Sequence, residues 1–308
     1  MAFNVQTFTE KLSKELDKAL IHDMATGFLA GGSLQAEFAG SDSVLIAEMA
    51  MSGLGDYDRQ AGFPKGGVAM KKTPYRLSME RGRQFSIDIR DMATNDLKEA
   101  CGSLGEMMKI FQTEYVKPEV DAYNLSTIGA GALAKNVSTK TYTTASTDIV
   151  KDLIYDVDKA QEVANGEELF IFLNWGLHGF LAANTEFLKY IDVANFKKGE
   201  VNTELKTING AGIVKVPANR MYNQYMFLNG VDADQKNGGF APTATAKQYN
   251  WIILPRSAAN CITVLEKSQV ITPENNNDGL AYKQGYRRLY DTIIKESRKQ
   301  NIIVSAQG

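Results

Sequence analysis

A single apolar stripe in the middle of the sequence places the strongest constraint on the fold. Its members follow spacings of 4, 3, 4, 3 and 4 residues, the periodicity of one helix face, and are Leu97, Cys101, Leu104, Met108, Phe111 and Tyr115. Residues 94–96 supply capping candidates before it. Pro118 should kink or interrupt the helix before it resumes through Ile128 and ends at Gly129-Ala130-Gly131. The pattern predicts a helix of ~30 residues, or ~45 Å.

The segment before this helix predicts a long β-hairpin. Glycines and prolines interrupt residues 56–74, and the apolar residues Phe85, Ile87 and Ile89 then alternate with polar neighbours, as in a strand with one wet face. Such a long hairpin cannot bury itself, so it needs a partner surface in this chain or in another copy.

Basic side chains are interleaved with apolar positions along this hairpin. They are Arg59, Lys65, Lys71, Lys72, Arg81 and Arg83. Because Asp88 and Asp91 follow them, the pattern favours ion pairs between subunits over contacts with DNA phosphates. A merely solvated face remains the alternative for each residue.

The first fifty residues predict an arm rather than a domain core. Apolar residues recur every four positions between charged side chains, as in an amphipathic helix: Phe8, Leu12, Leu16 and Leu20. Residues 44–51 then predict a short apolar strand, which Ser52-Gly53-Leu54-Gly55 closes.

Residues 144–273 alternate helical and strand patterns, which predicts a compact α/β region. Ile149, Leu153 and Val157 mark one face of a helix, and Glu168–Leu173 has the composition of a buried strand. The sequence closes with two predicted strands, at 282–294 and 302–304, joined by a charged turn.

Composition excludes several classes of protein. With 34 basic and 36 acidic residues among 308, the formal charge is -2, so the positive field of a dedicated nucleic-acid binder is missing. The length suits two subdomains. No apolar run approaches the ~20 residues of a membrane span, and no signal-peptide pattern opens the chain. We therefore expect a cytoplasmic protein without membrane contact, in which Cys101 and Cys261 are small core residues.

The residues of catalysis and metal binding are sparse. Of the two histidines, His22 and His178, each is predicted to pack or to lie at the surface, and no Gly-x-Ser-x-Gly motif accompanies them. Asp152 and Asp156 share a helix face, which a solvated surface explains better than a cation site. The short glycine fragments lack the third glycine of a dinucleotide loop. We predict no catalytic residue, no metal and no cofactor.

Three stretches resemble major capsid proteins of tailed double-stranded DNA phages, of the Hong Kong 97 type. They are Gly53–Arg59 (GLGDYDR), Glu80–Asp88 (ERGRQFSID) and Lys117–Tyr123 (KPEVDAY), and the later Leu280–Tyr282 and Arg287–Asp291 also fit this family. The order of arm, basic hairpin, long helix, α/β region and closing strands extends the resemblance over nearly the whole chain.

The resemblance implies an α+β, Hong Kong 97-like phage capsid fold. It divides the chain into an N-terminal arm (1–52), an extended hairpin loop (53–92), a peripheral domain (93–143 and 274–308) and an axial domain (144–273). It also implies a non-enzymatic subunit that forms hexamers and pentamers of an icosahedral shell in the host cytoplasm and becomes part of the virion capsid. The implied partners are portal proteins, scaffold or decoration proteins, and packaged DNA that the subunit contacts non-specifically.

Within such a shell, we expect two sets of contacts between subunits. Phe8, Leu12 and Leu16 would dock the arm on a neighbour, and the six basic residues of the hairpin would form ion pairs. Lys65 lies where some relatives carry a cross-linking lysine, but no firm match to a cross-linking site accompanies it, so non-covalent assembly is expected. No long extension precedes the arm in this sequence, which leaves open a separate scaffold protein or the earlier removal of a segment.

Two alternatives remain open on the sequence. An encapsulin, the shell of a bacterial compartment that encloses cargo enzymes, would share the fold and differ in particle size and DNA content. An α/β enzyme that uses tyrosine or carboxylate chemistry would instead stay monomeric or turn over a substrate.

Overall fold

The computed structural model describes residues 24–30, 36–38, 43–60, 62–90, 104–143, 146, 148–182, 184, 187, 189–198 and 201–308. The predicted arm helix with Phe8, Leu12 and Leu16 lies outside these residues, as does the predicted start of the long helix with Leu97 and Cys101. Within the described ranges, no helix has the length and apolar character needed to cross a bilayer.

The described chain combines helices and sheets. The helices are α1 (Leu104–Phe111), α2 (Lys117–Gly131), α3 (Ile149–Ala164) and α4 (Trp175–Ala182), with a π-helical turn at Gln112–Val116 and 3-10 turns at Ala25–Leu29, Ala134–Asn136, Ala218–Arg220, Pro273–Asn275 and Glu296–Asn301. The strands are β1 (Ala36–Phe38), β2 (Ser43–Met51), β3 (Val68–Arg76), β4 (Met79–Asp88), β5 (Val137–Thr139), β6 (Leu169–Asn174), β7 (Ile191–Lys198), β8 (Val201–Ile208), β9 (Ala211–Val216), β10 (Tyr225–Phe227), β11 (Phe240–Pro242), β12 (Tyr249–Pro255), β13 (Ala259–Ile271), β14 (Ala281–Ile294) and β15 (Ile303–Ala306).

The predicted long helix is confirmed over residues 104–131, but its buried stripe differs from the prediction. Met108, Val116 and Val120 are buried, whereas Tyr115 is 56% exposed. The cause is the π turn between α1 and α2, which adds a residue to one turn and shifts the stripe. Pro118 lies just after this turn and lacks the N–H that a regular helix would use. The expected disturbance at Pro118 is therefore a wide turn rather than an interruption.

The larger sheet has seven strands in the order β5-β15-β12-β6-β9-β8-β7. Its central strand, β6, runs parallel to β9 and antiparallel to β12. All six residues of β6 are buried, because both faces of the sheet are covered. Phe170 and Phe172 pack with Leu125 of α2 on one side, and Ile171 packs with Leu153 of α3 on the other. This arrangement confirms the predicted buried strand and explains its continuous apolar run.

A smaller sheet, in the order β13-β14-β4, corrects the predicted hairpin. Strand β4 pairs with β14 from Met79 to Asp88, and the hairpin is made instead by β2 and β3. The predicted alternation is present, but its apolar side has a partner within the chain. Phe85 contacts Phe111 of α1 with ring centroids 4.9 Å apart, and Phe111 contacts Tyr286 of β14 at 5.9 Å.

The two closing strands are confirmed as β14 and β15, separated by the 3-10 turn Glu296–Asn301. They enter different sheets, since β14 pairs with β13 and β4 while β15 pairs with β12 and β5. Strand β13, which the predicted division assigned to the axial domain, thus lies beside a strand of the predicted peripheral domain.

Candidate intersubunit surfaces

The β2–β3 hairpin is attached to the rest of the chain at its base. Val44 and Ile46 of β2 are buried and pack with Leu289 and Ile293 of β14. From this base the strands remain paired out to Met51 and Val68. The hairpin therefore starts in the core and extends away from it.

One face of the outer part of the hairpin is apolar and exposed. Met49 pairs with Met70, and Met51 pairs with Val68. Because residues paired in an antiparallel ladder lie on the same face, these four side chains share one face of the hairpin. Their exposed fractions are 57%, 68%, 70% and 67%, respectively. We call these four residues the hairpin patch. Large side chains this exposed and this close together are typical of a surface that a partner covers.

The tip of the hairpin is ordered by its own hydrogen bonds and exposes further apolar groups. The Ser52 N–H donates to the Gly67 carbonyl at 3.0 Å, and the Gly67 N–H donates to the Ser52 hydroxyl at 2.9 Å. Tyr57 and Phe63 contact each other with ring centroids 5.1 Å apart. Phe63 is nevertheless 86% exposed and Leu54 fully exposed. The tip thus has a defined shape and exposes apolar groups of its own.

The six predicted basic contact residues divide into two groups. Arg59, Lys65, Lys71 and Lys72 are exposed on the hairpin. Arg81 and Arg83 lie on β4 and have partners within the chain. The structure therefore brings four of the six onto one projecting element, and a contact with another subunit stays a prediction for all six.

The partners of Arg81 and Arg83 tie β4 to the rest of the fold. Arg81 donates to Glu119 of α2 at 2.7 Å and to the Gly239 carbonyl at 3.3 Å. Arg83 donates to the Lys236 carbonyl at 3.0 Å. Both side chains thus connect the smaller sheet to the helix or to the loop before β11.

The hairpin patch was not among the residues selected from sequence. On the hairpin the predicted contact residues are all charged, whereas its surface with the clearest need for a partner is apolar. A signal was present, because Met49 and Met51, like Val68 and Met70, follow the two-residue period of one strand face.

A buried carboxylate joins the segment entering the core to α2. Asp121 is fully buried and accepts hydrogen bonds from the N–H groups of Ala25 and Thr26 at 3.0 and 2.9 Å. It also accepts from the Thr26 hydroxyl at 2.7 Å and from the Arg220 guanidinium at 3.1 Å. Asp121 therefore fixes the position at which residues 24–30 meet the helix.

The prediction of a solvated surface for Asp156 was wrong. Asp156 is 9% exposed and accepts a hydrogen bond from the Trp251 indole at 2.9 Å. Asp152 lies nearer the surface, where it accepts from Tyr142 at 2.8 Å. Among the described residues, no group of three or more metal-binding side chains could hold a metal ion.

We expect Asp156→Asn to stabilise the protein near neutral pH, with the gain vanishing in acid. Burial raises the pKa of Asp156 above its ordinary value of 3.8, so the neutral form is favoured on folding. The stabilising contribution of the protonated Asp156 carboxyl is therefore fully present below the pKa of the unfolded state. It is lost as pH rises through the pKa of the folded state. Asparagine stays neutral and can still accept from Trp251. Urea unfolding at several pH values should show the gain of the variant shrinking as pH falls toward 3.8; a gain that persists in acid would contradict this cause.

The seven-stranded sheet, the long helix packed on it and the projecting hairpin form an α+β fold. Solved structures with a similar fold include phage capsids and a virus-like particle. The capsid structure of the Cyanophage P-SCSP1u has a TM-score of 0.55 at 11% identity, covering 88% of this chain and 85% of that chain. The capsid structure of Staphylococcus phage Andhra has a TM-score of 0.54 at 11% identity, covering 91% and 83%.

A third likeness is to the virus-like particle from Pyrococcus furiosus. It has a TM-score of 0.52 at 12% identity, covering 97% of this chain and 99% of that chain. The sequence matches no protein-family model and no curated protein. The likenesses show a phage-capsid fold and confirm the α+β class expected from the sequence.

Proposed function

We propose that the chain is the major capsid protein of a tailed double-stranded DNA phage of the Hong Kong 97 type. It is a non-enzymatic subunit whose hexamers and pentamers build an icosahedral head in the host cytoplasm. The observation that carries the proposal is the hairpin patch, because a projecting hairpin with four exposed apolar side chains on one face gains most from a neighbouring copy. The phage-capsid fold supports the same conclusion.

The basic residues of the hairpin have a complementary role in this proposal. Arg59, Lys65, Lys71 and Lys72 are exposed beside or near the apolar surface, where they would pair with carboxylates of the neighbour. Such charges at the rim of an interface set orientation and association rate more than affinity. Phe8, Leu12 and Leu16 of the arm would form a second contact.

The proposed division of the chain keeps the arm, extended hairpin, peripheral domain and axial domain. The strand pairings favour two changes to its boundaries. The hairpin comprises β2 and β3, and β13 belongs with β14 and β4 beside the long helix. Portal, scaffold or decoration proteins and packaged DNA are the partners that this role would require.

Electron microscopy of the purified full-length chain tests the shell proposal. We expect closed icosahedral particles, built without covalent links, so that denaturing gels show the monomer alone. A chain that stays monomeric at high concentration would contradict the proposal, and a ladder of covalent oligomers would contradict non-covalent assembly.

An encapsulin-type compartment shell is the second candidate. It is favoured by the nearly complete mutual coverage with the virus-like particle subunit, which shows two chains of matching extent and fold. Particles isolated from the natural source would discriminate. Packaged double-stranded DNA supports the phage head, and enclosed protein without DNA supports the compartment.

A further inference from the structure

A cavity of about 480 Å³ lies away from the hairpin, where several elements of the larger sheet converge. Its lining comes from the 3-10 turn Ala25–Leu29, the start of α2, helix α4 and strands β7, β8 and β9. The cavity is large enough for a small ligand or for part of a polymer.

The lining of this cavity is rich in basic side chains. Its cationic side chains are Lys117, Lys198, Lys206, Lys215 and Arg220, and its described residues include a single carboxylate, Glu204. This concentration contrasts with the formal charge of the whole chain, which is -2. A larger cavity, of about 630 Å³, beside β4 also contains arginines, but there Arg81 pairs with Glu119. The smaller cavity differs in that five basic side chains share a lining with one carboxylate.

Two polar atoms of the lining remain without a partner in the described part of the chain. They are the buried Arg220 Nε and the buried Thr203 Oγ1. Another nitrogen of Arg220 donates to Asp121 at 3.1 Å, which fixes the guanidinium in place. A buried donor without an acceptor costs free energy, and an acceptor-rich anion in the cavity would remove that cost.

An aromatic and a histidine side chain complete the lining on α4. Trp175 is 58% exposed and His178 is partly buried. Burial lowers the pKa of His178, and the positive charges of Lys215 and Lys206 lower it further. Lys206 and Lys215 therefore lie close enough to His178 for their charges to affect its protonation.

We propose that this cavity binds a phosphate group through Lys206, Lys215 and Arg220. The lining offers many donors and few acceptors, as a phosphate requires, and a doubly charged phosphate has enough oxygens to accept from several of these side chains at once. The phosphate comes either from a nucleic-acid backbone, with Trp175 available to stack on a base, or from a free phosphorylated molecule. The site goes beyond the shell role and does not depend on it.

Calorimetric titration of the full-length chain with pyrophosphate and with a short oligothymidylate tests the site. Lys206→Gln combined with Lys215→Gln should weaken pyrophosphate binding roughly tenfold or more, as expected for two lost charge contacts. The control combines Lys151→Gln with Lys267→Gln, two exposed lysines outside the cavity. It makes the same change in net charge and should alter binding by less than about twofold.

The oligonucleotide arm distinguishes the sources of the phosphate. If the backbone is the ligand, oligothymidylate binds, the double variant lowers its salt slope by about 1 per lysine, and Trp175→Leu weakens it further. If a free phosphorylated molecule is the ligand, pyrophosphate binds and the oligonucleotide does not.

Three results would overturn the proposal. In the first, the wild-type chain binds neither pyrophosphate nor oligothymidylate. In the second, the control double variant weakens binding as much as Lys206→Gln combined with Lys215→Gln. In the third, the wild type binds no anion and the cavity double variant no longer forms particles. The last result would make the cavity a contact for carboxylates of another copy. Because particle formation is scored separately, failure of the phosphate site and failure of the shell proposal remain distinguishable.

Discussion

Replacing Asp121 with alanine should lower the free energy of unfolding by about 3–5 kcal/mol, the usual cost of removing one partner from a buried ion pair. The substitution deletes the acceptor of four hydrogen bonds, from Ala25, Thr26 and Arg220. It also leaves the guanidinium of Arg220, whose side chain is 15% exposed, without its carboxylate. Denaturant unfolding monitored by Trp251, which is fully buried, measures the loss.

Two further variants separate this role from a general charge effect. Asp121→Asn keeps an acceptor but loses the charge, so it should cost less than alanine. Glu80→Ala breaks the ion pair with Arg287, whose side chain is 63% exposed, and should cost less than about 1 kcal/mol.

Asp121→Ala should also make residues 24–30 open locally more often. The amide protons of Ala25 and Thr26 donate to Asp121, so their exchange with solvent should accelerate in Asp121→Ala beyond the change seen in α3. If Asp121→Ala cost no more than Glu80→Ala, or if exchange rose equally throughout, Asp121 would not be the anchor of this segment.

Elements with a strong local pattern could be predicted from the sequence. Strand β6 has a continuous apolar run, and α3 repeats its apolar face at Ile149, Leu153 and Val157. These local patterns were sufficient to identify both elements. The exposed Tyr115 was not predictable in this way, because the spacing rule assumes a regular α-helix and the π turn shifts the buried face.

Pairings between distant parts of the chain could not be predicted. Alternation in β4 showed which face was apolar, but it did not identify β14 as the partner strand, in which Tyr290 pairs with Met79 of β4. The assignment of β4 to the hairpin followed from closeness in sequence alone. The same limit applies to Asp121, whose partners Ala25 and Arg220 lie nearly a hundred residues away on either side.

The sequence predicted where the candidate interface lies, but it did not predict that the main exposed surface there is apolar. The sequence indicated a projecting hairpin that requires a partner, and four of the selected basic residues lie on it. The hairpin patch escaped selection because exposure depends on which face the rest of the fold covers. Val44 and Ile46 occupy the covered face, and Met49 and Met51 lie beyond it on the other.

A salt-bridged pair of charges in the hairpin patch should greatly raise the protein concentration needed for particle formation and leave the subunit folded. Met49→Glu combined with Met70→Lys places opposite charges on directly paired residues, which keeps the hairpin stable. Both methionines are more than half exposed, so their replacement changes the stability of the isolated subunit by about 0.5 kcal/mol or less. In an assembled shell both charges would lose water against a neighbour, and this desolvation costs several kcal/mol even though the two charges pair with each other.

Because this contact recurs in every copy of a symmetric shell, the loss should raise the concentration needed for assembly by at least roughly a hundredfold. Light scattering and electron microscopy measure that concentration, and circular dichroism confirms the fold. The matched control is Ala69→Glu, which adds a charge to an exposed position on the opposite face of β3 and should leave particles intact. If the double variant assembled as readily as the wild type, the hairpin patch would not lie in a contact between subunits, and the main support for the shell proposal would be lost.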